Sequence, residues 1–174
     1  EYAKGEIKRR LWWIFFWYPG NKKEGIRQLV YAKENGDISS LAARIALAEI
    51  YIRESSYDLA QKELTELQER FGRSRFVLWT QAKLHEACSR FGDAADSYGM
   101  LARLYAEAPA GTYNAYYTRY LRAQMLVEAG RSGEAAEICS ALIRELDENR
   151  GRRYTKLCAQ ARKLMGSIDG KSNQ

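Results

Sequence analysis

An internal repeat constrains this chain more than any other feature. The segment "LAEIYIRESSYDLAQKELTEL" (47–67) aligns with "QAKLHEACSRFGDAADSYGML" (81–101) at a constant offset of 34 residues. Ala48, Tyr51, Ala60, Leu64 and Leu67 thereby fall on Ala82, His85, Ala94, Tyr98 and Leu101. A further copy, "RAQMLVEAGRSGEAAEICSAL" (122–142), places Ala123, Leu126, Ala135, Cys139 and Leu142 at the same points with an offset of 41, which puts seven inserted residues around "EAPAGTY". The opening copy, "WWIFFWYPGNKKEGIRQLVYA", supplies Trp13, Phe16, Gly25, Leu29 and Ala32 at an offset of 35. In every copy the first and third of these residues stand twelve apart, and all but Trp13 are small. A unit this short cannot bury its own apolar face and must stack on its neighbours.

Within each unit the apolar residues recur at helical spacing. Ala, Leu, Glu, Arg and Lys dominate, only Pro19 and Pro109 are prolines, and no segment reads as a strand. Breaks fall at "YPGN", "KENGD", "RESS", "FGRS", "RFGD", "APAGT", "AGRSG" and "NRGRR". Most pair a glycine with Asn, Asp or Ser, the end of one helix and the cap of the next. Nine helices are expected. The last, "RRYTKLCAQARKLMGSI" (152–168), carries one apolar stripe of Tyr154, Leu157, Cys158, Ala161, Leu164, Met165 and Ile168, as a terminal capping helix requires.

Small–aromatic–small spacing at this period resembles the tetratricopeptide repeat (TPR) family, with "FGDAADSY" and "AGRSGEAAEI" its best turn segments. The likeness covers residues 6–149 and departs at Trp13 and at the 41-residue spacing. "PGNKKEGIRQLVYAKENGD" also looks like the opening repeat of some bacterial TPR proteins of unassigned function. The resemblance implies an all-α, right-handed α-α superhelix in a single domain, 1–170. Its repeats would be 6–40, 41–74, 75–115 and 116–149, with the cap at 152–168 and a frayed tail at 169–174. It also implies a concave surface lined by the first helix of each pair: Ile14, Trp17 and Tyr18, then Ile45, Glu49, Ile52 and Arg53. Phe76, Trp79, Lys83 and Glu86 follow, then Tyr117, Tyr120, Gln124 and Glu128. Burial by the superhelix itself is expected of Ile45 and Ile52 and not of Trp79 or Tyr120. Such a groove implies a non-enzymatic scaffold that docks a protein segment, peptide or helix. A small-molecule or lipid-binding module of the cell envelope is the alternative.

Other chemistries find little support. "GSIDGKS" (166–172) has three residues between its glycines where a phosphate-binding loop needs four, and no strand precedes it. His85, the one histidine, sits at a repeat position shared with Tyr51 and Leu126, so no catalytic constellation or metal site is expected around it. Cys88, Cys139 and Cys158 are too widely spaced for a metal motif and read as buried thiols, although Cys139 and Cys158 meet if their helices pack together. No cofactor is expected. The net charge of +6 is spread among interspersed acids, which makes Arg150, Arg152, Arg153 and Lys156 a weak case for nucleic acid. The absence of a leading methionine suits a processed or excised piece, from bacterial cytoplasm or envelope.

The stretch "LWWIFFWY" (11–18) completes the reading. Eight apolar residues fall short of the ~20 needed to span a bilayer. Read as the first repeat's opening helix, it turns Trp13 and Phe16 towards Gly25 and Leu29, the glycine making room for the indole. Trp12 and Phe15 then form an outward end face, expected to mediate homodimer contact or to be covered by an upstream segment. Insertion into a membrane surface, assisted by Lys8, Arg9 and Arg10, is the competing expectation.

Overall fold

The computed structural model of the chain describes residues 22–36, 38–108, 112–148 and 151–172. They form eight helices: α1 (Lys22–Asn35), α2 (Ile38–Arg53), α3 (Tyr57–Phe71), α4 (Arg75–Ala87), α5 (Phe91–Ala106), α6 (Thr112–Glu128), α7 (Ser132–Asp147) and α8 (Arg152–Ser172). No strand occurs among the described residues, and no helix among them is long and apolar enough to cross a membrane. The expected helix before Pro19 lies outside the described residues.

The chain divides into two compact units, 1–47 and 48–174. In the first, α1 is amphipathic but buries no residue fully. The turn after it closes through the Gly36 N–H donating to the Ala32 carbonyl (3.0 Å), and the Ser40 hydroxyl donates to the Lys33 carbonyl (3.0 Å). Trp13 and Phe16, the residues expected to face Gly25 and Leu29, lie outside the described residues. Among the described residues Gly25 is exposed, and a Cβ there would meet none of them within 4 Å.

The second unit carries the repeat in its backbone. Ser55 and Ser89 adopt positive φ (57° and 56°), and Gly130 does the same (75°), at the offsets of 34 and 41 read from the side chains. Each is the left-handed residue that ends a helix and turns the chain into the next. The bonds repeat with it. The N–H groups of Ser56, Arg90 and Arg131 donate to the carbonyls of Tyr51, His85 and Leu126 at 2.9, 2.9 and 2.8 Å. The carbonyls of the same three residues then accept from Ala60, Ala94 and Ala135, starting α3, α5 and α7. The small positions follow suit: Ala48, Ala60, Ala82, Ala94, Ala123 and Ala135 have no exposed surface at all. The helices that carry Ala82 and Ala94 pack on each other, as do those that carry Ala123 and Ala135. A larger side chain at a fully buried position there would have to displace its neighbours.

Consecutive helices from α3 onward pack on one another, most extensively α5 on α6, and α8 covers α7 while touching α6. One apolar cluster joins Leu78, Tyr98, Leu101, Leu121, Leu142 and Leu157 across five helices. A second gathers Ala123, Leu126, Cys139 and Ile168. The terminal helix buries Leu157, Cys158, Ala161 and Ile168, the stripe expected of a cap. It runs to Ser172, past the expected end at 168. A helical glycine at 170 costs only ~1 kcal/mol relative to alanine, too little to stop a helix anchored by Ile168.

Two substitutions test this frame. Ala82→Leu should lower stability by about 1–3 kcal/mol through overpacking, and an unchanged denaturant midpoint would contradict the crossing. Gly130→Ala should cost about 1 kcal/mol for strain alone, since space for the methyl is open, whereas Ser89→Gly should be neutral to stabilising by a similar amount.

Candidate functional site

Helix α4 divides its faces sharply. Val77, Thr80, Ala82 and Leu84 point into the core, whereas Phe76 is 69% exposed. One turn on, Trp79 lies half-buried on the same side, since residues three and four apart share a helix face. Its ring meets Tyr98 of α5 edge to face, with centroids 5.9 Å apart and planes at 74°. The Lys83 ammonium sits 5.5 Å from the Trp79 ring centre and 5.9 Å from that of Tyr98. Lys83 is held there by Glu86, whose carboxylate accepts from it at 3.1 and 3.3 Å. The Tyr98 hydroxyl donates to the same carboxylate. Burial, with the Glu86 carboxylate beside it, pushes the Tyr98 phenol far above the ordinary tyrosine range, so it stays neutral and remains a donor. A buried tyrosine thus fixes the charged part of an exposed strip.

A second aromatic group forms where α6 meets α8. Tyr113 stacks parallel to Tyr117 (6.4 Å, 4°), and Tyr154 meets Tyr113 and Tyr116 edge-on at 5.6 and 6.1 Å. Arg153 lies 6.0 Å over Tyr113 and Arg119 lies 5.8 Å over Tyr116. Arg119 also bonds Glu145 of α7 through both guanidinium nitrogens, at 2.7 and 2.9 Å. That pairing holds the Glu145 carboxyl below its usual range. Rings with polar tips and cations laid across them suit a surface that binds rather than one that reacts.

Of the residues expected to line a groove, Phe76, Trp79, Lys83 and Glu86 come together on α4, and Tyr117 and Gln124 are half-buried on α6. Glu49, Arg53 and Glu128 are exposed, while Ile45 and Ile52 are half-buried. Tyr120 does not fit the expectation of an open ring. It is 9% exposed within the central cluster, because α6 is flanked by α5, α7 and α8 and that position points among them. Burial raises its phenol pKa as well. Trp12, Phe15, Trp17, Tyr18 and Ile14 lie outside the described residues. Tyr113 and Tyr116, which no repeat position marked, were nonetheless signalled by "TYNAYYTRY", four tyrosines within eight residues at helical spacing.

His85 is buried with its Nδ1 3.4 Å from the Ser97 hydroxyl, which itself donates to the Asp93 carbonyl. The three cysteines are unpaired. Burial pushes the Cys139 thiol up to about 11, which leaves it protonated and a poor nucleophile at neutral pH. Cys158 is raised too, by burial first and then by its bond to Asp147. Cys139 and Cys158 belong to different apolar clusters. Among the described residues no group of three or more His, Cys, Asp or Glu is placed to hold a metal ion.

No family model, curated protein or solved structure matches the chain. The site therefore rests on its own geometry.

The assignment of faces is open to measurement. Truncation of Tyr120 to alanine should cost about 3–5 kcal/mol in urea denaturation, as for other buried aromatics. The Phe76→Ala change should remain within about 0.5 kcal/mol of wild type, as expected for an exposed position. Equal losses at the two positions would contradict the division of faces.

Proposed function

We propose that this chain is a TPR-like helical-repeat scaffold that binds a protein segment, peptide or helix, and that it is not an enzyme. The repeated left-handed turns and the six buried alanines support the helix-pair reading. Four pairs in a right-handed superhelix, closed by α8, is the arrangement that reading implies. The observation that carries the binding role is Phe76. A phenylalanine 69% exposed, one turn from the half-open Trp79, is apolar area that water covers unless a partner does. Lys83 and Glu86 beyond it supply charges that set register, while the rings supply buried area. The partner this strip suits is an extended or helical segment with one or two large apolar side chains and a charge at its end.

The test is selection of short peptides from a displayed library on the immobilised chain, followed by affinity measurement with variants. Phe76→Ala and Trp79→Ala should each weaken the selected peptides by about 2 kcal/mol, the usual worth of an aromatic anchor. Peptides whose affinity ignores both changes would move the site off α4.

A further inference from the structure

A cavity of about 400 Å³ opens between α5, α6 and α7, away from the Phe76 strip. Its size falls within the range of small-ligand sites. Ala102, Ala106, Ala115 and Ile138 give it an apolar wall, and the Tyr116 ring closes one side. The rest of the lining is cationic: Arg103, Arg119 and Arg122, against a single acid, Glu145. That acid is already taken by the two-pronged bond from Arg119. Two guanidinium charges are left over.

Arg122 is the informative one. Its Nε is buried and makes no hydrogen bond. Buried polar groups are almost always satisfied, and an exception points to a missing ion or ligand. Gly99 leaves space for this side chain, for a Cβ there would lie 3.4 Å from its Cδ and Nε and 3.5 Å from Cζ. Glu134, an acid whose charge Arg122 feels, is already engaged by Arg131 at 2.6 and 2.8 Å. Arg103 forms no ion pair or side-chain hydrogen bond among the described residues, and it stands on the facing helix, α5. Two uncompensated forks on opposite walls, beside an apolar floor and a ring, match a dianion carried on a small apolar or aromatic body.

We infer that this cavity binds a small organic phosphomonoester, its phosphate between Arg103 and Arg122 and its body against Tyr116 and the α5 alanines. The head prefers phosphate to carboxylate because two unspent positive charges balance a group that is largely dianionic at pH 7.5. This site shares no residue with the Phe76 strip and stands or falls separately from peptide binding.

Titration calorimetry at pH 7.5 and fixed salt, with phenyl phosphate, inorganic phosphate and benzoate as probes, decides the matter. Phenyl phosphate should bind saturably at one site. Inorganic phosphate, lacking the apolar body, and benzoate, carrying one charge, should each bind about tenfold more weakly. Arg122→Met and Arg103→Gln should each weaken phenyl phosphate by about tenfold or more, while Arg152→Gln, an exposed charge outside the cavity, leaves it unchanged. Arg103 is exposed, so its variant folds even where loss of Arg122 disturbs packing, and its affinity alone suffices as a test. Absence of saturable binding, equal affinity for benzoate, or indifference to Arg103→Gln overturns the assignment. An equal loss in Arg152→Gln overturns it too, since that marks diffuse attraction to a basic surface.

Discussion

The close crossing of helix pairs at alanine is the contact on which the rest of this structure depends. At Ala82 and Ala94, and again at Ala123 and Ala135, no surface remains exposed. Spacing the two residues twelve apart places one on each arm of a helix pair, with the left-handed turn at Ser89 or Gly130 between them. The turn reverses the chain and the alanines let the arms meet. Each requirement constrains the other: a bulkier residue at the crossing would spread the arms, and a different turn would misalign them. Larger apolar residues, such as Tyr98, Leu101 and Leu142, then fill the space between successive pairs.

This explains why the frame from Ala48 onward was legible in the sequence. Small residues at fixed offsets, and the "RESS", "CSRFGD" and "AGRSG" breaks between them, are local signals of a backbone-level constraint. Backbone geometry recurs because it has few solutions. The faces of the helices were less legible, and Tyr120 shows why. Its repeat position matches Trp79, yet Trp79 has open space on one side, whereas Tyr120 is enclosed where α7 and α8 follow. Whether a ring lines a surface or fills a core depends on what lies beyond it in space, which an offset cannot report.

Irregularity in the repeat is where the candidate sites concentrate. By the 41-residue offset, the start of α4 at Arg75 corresponds to Tyr116, yet α6 begins four residues earlier, at Thr112. The insertion around "EAPAGTY" therefore gives α6 an additional turn that the neighbouring pair lacks. Tyr113 of the stacked tyrosines lies on that turn, and so do Thr112 and Ala115 of the cavity wall. A repeat that only needed to stack gains nothing from the addition, whereas one that binds gains both a platform and a wall. Local departures from a consistent pattern are where function is expected to sit.

The two surfaces also differ in how firmly they are held, and the difference follows from burial. On α4, the exposed Phe76 has no polar attachment, but the next part of the strip is fixed from beneath. The neutral Tyr98 hydroxyl anchors Glu86, Glu86 anchors Lys83, and Lys83 covers the Trp79 ring. The series begins from Tyr98, a side chain with no exposed surface. A partner meeting that strip encounters groups already in position, which reduces the ordering that binding would otherwise require. In the cavity the reverse holds. Arg119 is fixed by Glu145, but Arg103 and the Nε of Arg122 have no bonding partner among the described residues, so their order must come from what they hold. A strip set in advance suits selection by shape, and a pair of unspent guanidinium groups suits selection by charge.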